Sequence, residues 1–157
     1  MSTPSAEELE ARRAARRYPQ RPMVAVLAVV LRGGRILIVQ RAQQPNAGRW
    51  GFPGGVLELG ETVAEGAMRE LAEETGIAAE AAGVLNVNDA VSRDDDGRVQ
   101  FHYVLSAVRG VWQSGEGVAG DDAAAVAWAS RDDILAGKYP TFPTLLPLFD
   151  LALAAQS

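Results

Sequence analysis

The chain has 157 residues, enough for one domain with a sizeable core, and its 48% hydrophobic and 22% charged residues are ordinary for a globular protein. A net charge of −5 disfavours nucleic acid as a partner, because that binding rests on basic side chains neutralising phosphates; a small phosphorylated ligand stays compatible where a bound cation reverses the local field. The absence of Cys excludes disulfides, thiolate metal sites and Cys nucleophiles.

Residues 2–20 carry four Arg but no apolar signal core, and Glu7, Glu8 and Glu10 do not suit an organelle transit peptide, so a cytoplasmic protein is expected. Ser5 and Glu8 have capping-box spacing, which predicts a short charged helix up to Arg17 and a break at Tyr18-Pro19. The reading is an arm over residues 1–20, helical or flexible, followed by a domain over 21–157.

Met23–Leu31 and Ile36–Val39 are Val-rich and Ile-rich runs around Arg32-Gly33-Gly34-Arg35, a β-hairpin signal. The first run is broken at Arg32, too soon to span a bilayer, so no membrane partner is expected. Trp50-Gly51-Phe52-Pro53-Gly54-Gly55 reads as a loop. A helix is predicted from Thr62, with a Thr62/Glu65 capping box and Gly76 as its terminator. Val84–Val91 and Val99–Val108 form a second hairpin, Val126–Trp128 a short strand, Ser130 to about Gly137 a brief helix, and Thr144–Ala154 a closing helix that tolerates Pro147 in its first turn. The sum is a single α+β domain, a mixed sheet with helices on its faces.

On a wheel at about 100° per residue, Ala64, Ala67, Met68, Leu71 and Thr75 share one apolar arc, and Glu70, Glu73 and Glu74 cluster beside it with Arg69 next to Glu73. Glu70 and Glu74 are a like-charge i,i+4 pair near the core, and acids at a helix C-terminus oppose the macrodipole. Taken alone, such a trio is most often a solvated acidic face. A divalent cation would turn the repulsion into affinity, and oxygen-only ligands select Mg²⁺, with Mn²⁺ next.

From Gly55 to Ile77 the chain reads GVLELGETVAEGAMRELAEETGI. This resembles the Nudix box, G-x5-E-x7-R-E-U-x-E-E-x-G-U, at Gly55, Glu61, Arg69, Glu70, Leu71, Glu73, Glu74, Gly76 and Ile77. The resemblance implies the Nudix α/β/α sandwich with a mixed β-sheet. It implies Mg²⁺- or Mn²⁺-dependent hydrolysis of a nucleoside diphosphate linked to another moiety. It implies Glu70, Glu73, Glu74 and the Gly54 carbonyl as metal ligands, Arg69 orienting a glutamate, and Glu61 pairing with Arg69.

The general base is left open between Glu70 and an acid outside the box, with Glu116, Asp121 and above all Asp122 as candidates. Arg41 is a phosphate-contact candidate, and Trp50 and Phe52 are candidates for stacking on a base, with core packing as their alternative role. His102 reads as a structural strand residue and Trp112 as a loop or interface anchor. The pattern Asn88-Asp89, Arg93-Asp94, Gly97-Arg98, His102-Tyr103 and Gly120-Asp121-Asp122-Ala123 resembles the bacterial ADP-ribose pyrophosphatase-like branch; no proline follows the box in Ala78–Val91, where one ADP-ribose group carries it. ADP-ribose or a related nucleotide sugar is the expected small-nucleotide substrate. Nucleoside triphosphates and dinucleoside polyphosphates stay open, as does a non-catalytic nucleotide-binding module. A homodimer that uses the N-terminal arm or a sheet face is a further expectation.

Overall fold

The computed structural model of the chain describes residues 4–44, 46–120 and 123–156. In chain order its elements are α1 (Ala6–Arg16), β1 (Met23–Arg32), β2 (Arg35–Arg41), β3 (Trp50–Gly51), β4 (Gly54–Val56), α2 (Val63–Thr75), β5 (Ala78–Arg93), β6 (Val99–Ser114), β7 (Ala123–Ala129), α3 (Arg131–Leu135) and α4 (Leu145–Ala155).

The sheet runs β3-β2-β1-β6-β5, with β4 added to the N-terminal half of β1 and β7 to β2. β1 and β6 are parallel, from Met23 beside Tyr103 to Leu31 beside Val111, and the other pairings are antiparallel, which makes the sheet mixed. The β1–β2 hairpin closes at Arg32 opposite Arg35, with Gly33 and Gly34 at φ 57° and 76°, the left-handed pair that a tight two-residue turn requires.

β1 is apolar at consecutive positions because both of its faces are covered. Val26, Ala28 and Val30 pack with Leu37, Val108 and Ile77 under Ala67 and Leu71 of α2. Val29 and Leu31 pack with Ile36, Ile38 and Ala107 under Ile134 of α3 and Leu145, Leu148, Phe149 and Ala152 of α4. Period-2 alternation thus builds two cores from one strand, and the result is an α/β/α sandwich. Among the described residues no helix is long and apolar enough to cross a membrane.

Three local expectations are corrected. The segment Trp50–Gly55 is not all loop: β3 pairs with β2, and β4 pairs with β1 through Leu27 opposite Gly54 and Val26 opposite Gly55. These glycines serve close approach rather than turning, since a Cβ on Gly54 would run into the carbonyl oxygen of Val26. Thr62 accepts from the Glu65 amide at 3.1 Å, which is one half of a capping box. The strands of the second hairpin are longer than their Val-rich centres, because pairing with β6 recruits the Ala-rich stretch Ala78–Gly83, whose own β-propensity is low.

Phe149 is fully buried at the centre of the α4 face. Phe149→Ala should cost roughly 3–5 kcal/mol, read as a lower urea midpoint at unchanged m-value.

Candidate active site

The acidic edge of α2 is organised by one guanidinium. Arg69 Nε donates to Glu61 Oε2 at 2.5 Å and Nη2 to Glu61 Oε1 at 2.9 Å, a two-pronged pair. Its Nη1 donates to Glu70 Oε1 at 2.9 Å and Glu73 Oε2 at 3.2 Å, and Nη2 to the Val56 carbonyl at 3.4 Å. Glu58 adds a fourth carboxylate at 3.8 Å. Arg69 therefore ties α2 to β4 and to the turn that joins them. These hydrogen bonds, Glu61's first, raise its already high pKa further, so it stays charged.

Glu61 is the anchor. Its side chain is 13% exposed, against 46% for Glu73, and it also accepts from the Glu58 amide at 3.0 Å. The hydrogen bonds from Arg69 hold its carboxyl below the usual carboxylate range, against the opposing effect of burial.

The glycine lead-in meets the same helix. The Gly54 amide donates to Glu74 Oε2 at 2.9 Å. Gly55 lies so close to Glu70 that a Cβ there would overlap its carboxylate, and a Cβ on Gly66 would come within 2.7 Å of Leu57 Cδ1 and 3.0 Å of Glu61 Oε1. At the other end of α2, Gly76 takes φ 70°, and the amides of Val118 and Gly120 bond the carbonyls of Thr75 and Glu74 at 2.8 and 2.9 Å.

Among the described residues no three carboxylate, His or Cys side chains converge closely enough to hold a metal ion as they stand. The contacts above give the reason: Arg69 draws Glu70 and Glu73 toward itself, and the Gly54 amide holds Glu74. The donor chemistry nevertheless fits a hard cation, because every side-chain donor at this edge is a carboxylate and Gly55 leaves the space in front of Glu70 free of a Cβ.

Other candidates lie elsewhere. Asp121 and Asp122 fall outside the described residues. Glu116 accepts from Arg32 Nη1 at 2.9 Å at the far end of β1. The Glu116 carboxylate is thereby paired with Arg32, while the segment that follows it bonds the end of α2 through the Val118 amide on the Thr75 carbonyl. Arg41 ends β2 at the surface, its amide and carbonyl bonded to the Arg49 carbonyl and the Gly48 amide. The Trp50 ring meets Tyr139 edge-on at 5.1 Å between centroids, and Trp50 and Phe52, both partly buried, pack against the α4-side core. His102 sits half-buried in β6, and Trp112 lies 3.9 Å under the Arg32 guanidinium with its Nε1 on the Gly115 carbonyl. Sequence reasoning missed Glu58 and the amides of Val118 and Gly120; Glu58 stands three residues before Glu61, but nothing local marks it as an Arg69 partner.

The NUDIX domain family model matches residues 21–149. An ADP-ribose pyrophosphatase of Methanocaldococcus jannaschii is 37% identical over 103 residues, covering 65% of this chain and 58% of that protein. A CTP pyrophosphohydrolase of Escherichia coli is 32% identical over 145 residues, covering 84% of this chain and 92% of that protein. The crystal structure of a MutT NUDIX hydrolase from Burkholderia pseudomallei superposes with a TM-score of 0.72 at 31% identity, over 84% of this chain and 98% of that one. The chain belongs to the Nudix family, and its relatives named as pyrophosphatase and pyrophosphohydrolase indicate a hydrolase acting on diphosphate bonds.

Arg69→Met leaves Glu61, Glu70 and Glu73 uncompensated and should cost roughly 2–3 kcal/mol in urea unfolding, below the range for a fully buried pair because Arg69 is 22% exposed. Because the folded-state pKa of Glu61 is depressed, its contribution is complete above the unfolded-state value near about 4.3 and is lost as pH falls through the lower folded value. Glu61→Gln should therefore flatten the acid limb of the stability–pH curve; an unchanged limb would contradict the anchoring role.

Proposed function

We propose that this protein is a Mg²⁺-dependent pyrophosphohydrolase that cleaves the diphosphate of a nucleoside diphosphate linked to another moiety, with ADP-ribose or a related nucleotide sugar as substrate class and Mn²⁺ as the alternative ion. The observation that carries this reading is the Arg69-centred carboxylate set packed against Gly54-Gly55, in which Glu73 is more open to solvent than Glu61 and Glu70. The name of the M. jannaschii relative supports the substrate class. Residues 21–157 would form the hydrolase unit and residues 1–20 an appended arm.

Glu70, Glu73 and Glu74, with the Gly54 carbonyl, are the groups that would hold the ion. When bound, such an ion stabilises negative charge on the phosphates and lowers the pKa of a water. The chain's own contribution is positional. Glu61 fixes Arg69, and Arg69 fixes the orientation of Glu70. The Gly54 amide fixes Glu74, so the acids are restrained before substrate arrives. Glu70 is one acceptor for the attacking water's proton and Asp122 the other.

A second reading takes a nucleoside triphosphate or dinucleoside polyphosphate as substrate. The E. coli relative favours it, since it aligns over more of this chain than the M. jannaschii protein does. A non-catalytic nucleotide-binding module is disfavoured by the complete glutamate set. Turnover of ADP-ribose, nucleotide sugars, triphosphates and dinucleoside polyphosphates, each with Mg²⁺ and with Mn²⁺, decides among the three. ADP-ribose should give the highest kcat/KM; no turnover on any compound would leave only the binding module. Glu73→Gln should lower kcat beyond the roughly 10–100-fold that loss of an outer-shell partner costs, at unchanged thermal stability. Full activity in that variant removes Glu73 from the ligand set.

A further inference from the structure

Between β6 and β7 the chain runs Gly115-Glu116-Gly117-Val118-Ala119-Gly120, in neither helix nor strand. Half of these residues are glycine, which has more conformational freedom to lose than any other residue. The one large apolar side chain, Val118, is 76% exposed and does not anchor the stretch. Polar contacts fix it instead, on two sides.

One side is α2. The amides of Val118 and Gly120 donate to the carbonyls of Thr75 and Glu74. A Cβ on Gly115 would come within 3.1 Å of the Gly76 carbonyl oxygen, and one on Gly120 within 2.7 Å of the Glu73 carbonyl oxygen. The stretch therefore lies in backbone contact with residues 73–77. The last carbonyls of a helix lack partners within it and carry its negative partial charge. Two amides placed there satisfy Glu74 and Thr75 and offset that charge in the turn that bears the Glu73 and Glu74 carboxylates. The Gly54 amide then takes the Glu74 side chain.

The other side is a clamp at the end of the sheet. Leu31 of β1 pairs with Val111 of β6, and Leu37 of β2 with Trp128 of β7. That register brings Arg32, Trp112 and Trp128 together, with the Arg32 guanidinium 3.9 Å from the Trp112 ring and 5.9 Å from the Trp128 ring. The two indoles donate to successive carbonyls of the stretch, Trp112 Nε1 to Gly115 at 2.8 Å and Trp128 Nε1 to Glu116 at 2.9 Å. Arg32 also pairs with the Glu116 carboxylate, which is 81% exposed, so that ion pair adds little. The larger part of Arg32 is as the cation that both rings share.

We propose that Arg32, Trp112 and Trp128 are positioning residues for the hydrolysis: they hold residues 115–120 against the end of α2 and so fix the turn that carries Glu73 and Glu74. This rests on the function proposed above. The clamp bears on the bond-breaking step more than on substrate binding, because a shift of about 1 Å in an active-site group can cost on the order of 100-fold in rate.

The test uses the full chain and the variants Arg32→Met, Arg32→Lys and Trp128→Phe, the last of which keeps a ring and removes the N–H. Three quantities are read: hydrogen exchange at the Val118 and Gly120 amides of the metal-free protein, Mn²⁺ affinity by paramagnetic-resonance titration, and kinetics on ADP-ribose at saturating Mg²⁺. Arg32→Met and Trp128→Phe should speed exchange at both amides about tenfold, as local opening becomes easier. They should weaken Mn²⁺ binding about three- to tenfold and lower kcat about tenfold, with KM within about twofold. Arg32→Lys keeps a cation beside Trp112 and should recover most of the kcat. Ile134→Val, which thins the core on the opposite face of the sheet, controls for lost stability and should move none of the three readings. Faster exchange with kcat and Mn²⁺ affinity unchanged would make the clamp merely structural and overturn the proposal, with the hydrolase reading intact. Unchanged exchange would overturn it too. If wild type turns over no nucleotide, the hydrolase reading fails and the titration decides: a Mn²⁺ affinity that Trp128→Phe leaves unaltered, or no wild-type binding, sinks the clamp as well.

Discussion

Arg69 is the interaction on which the rest of the site depends. Four acids, Glu58, Glu61, Glu70 and Glu73, lie within 4 Å of its guanidinium, an assembly that would repel itself without a cation at its centre. The division of labour follows from exposure. Glu61 is the most buried and is bound by two prongs, so it fixes the guanidinium. Glu73 is nearly half exposed and is bound once, so it can be exchanged to another cation at little cost. An arginine serves here where a lysine would not, because a planar fork satisfies carboxylates on several sides and the Val56 carbonyl as well.

The glycines make that arrangement reachable. β4 can lie against β1 only because Gly54 has no side chain to meet the Val26 carbonyl, and α2 can bring Glu70 up to β4 only because Gly55 has none to meet its carboxylate. Gly66 lets the start of the helix settle on Leu57 and Glu61. These are contacts between segments rather than turns. The placement of the carboxylates and the packing of the domain thereby rest on the same few atoms.

Charge on this chain is segregated rather than balanced. Six of the 20 acidic residues lie between Glu58 and Glu74, and seven of the 15 basic residues lie in the arm and at the ends of the β2–β3 loop. The arm contributes little apolar burial, and its position comes from polar and cation–aromatic contacts around Tyr18 and Arg13.

Much was legible in the sequence, for reasons of range. The β1–β2 hairpin needs two residues with positive φ, and Gly33-Gly34 announces them. The ends of α2 are set by Thr62 and Gly76, and its acidic edge by helical periodicity, all within a single turn-by-turn count. The spacing from Gly55 to Ile77 carries the family and with it the fold. Other features needed the tertiary structure. That Gly54 and Gly55 sit in a strand depends on β1 lying beside them. That Glu116 is held at the opposite end of β1 depends on Arg32, which is 84 residues away in the chain. That Trp50 packs edge-on with Tyr139, and Phe52 beside it against the α4-side core, depends on residues much further along the chain. Local pattern encodes what neighbours in the chain require of one another; which distant side chain satisfies a given charge, ring or close approach is decided only when the sheet is assembled.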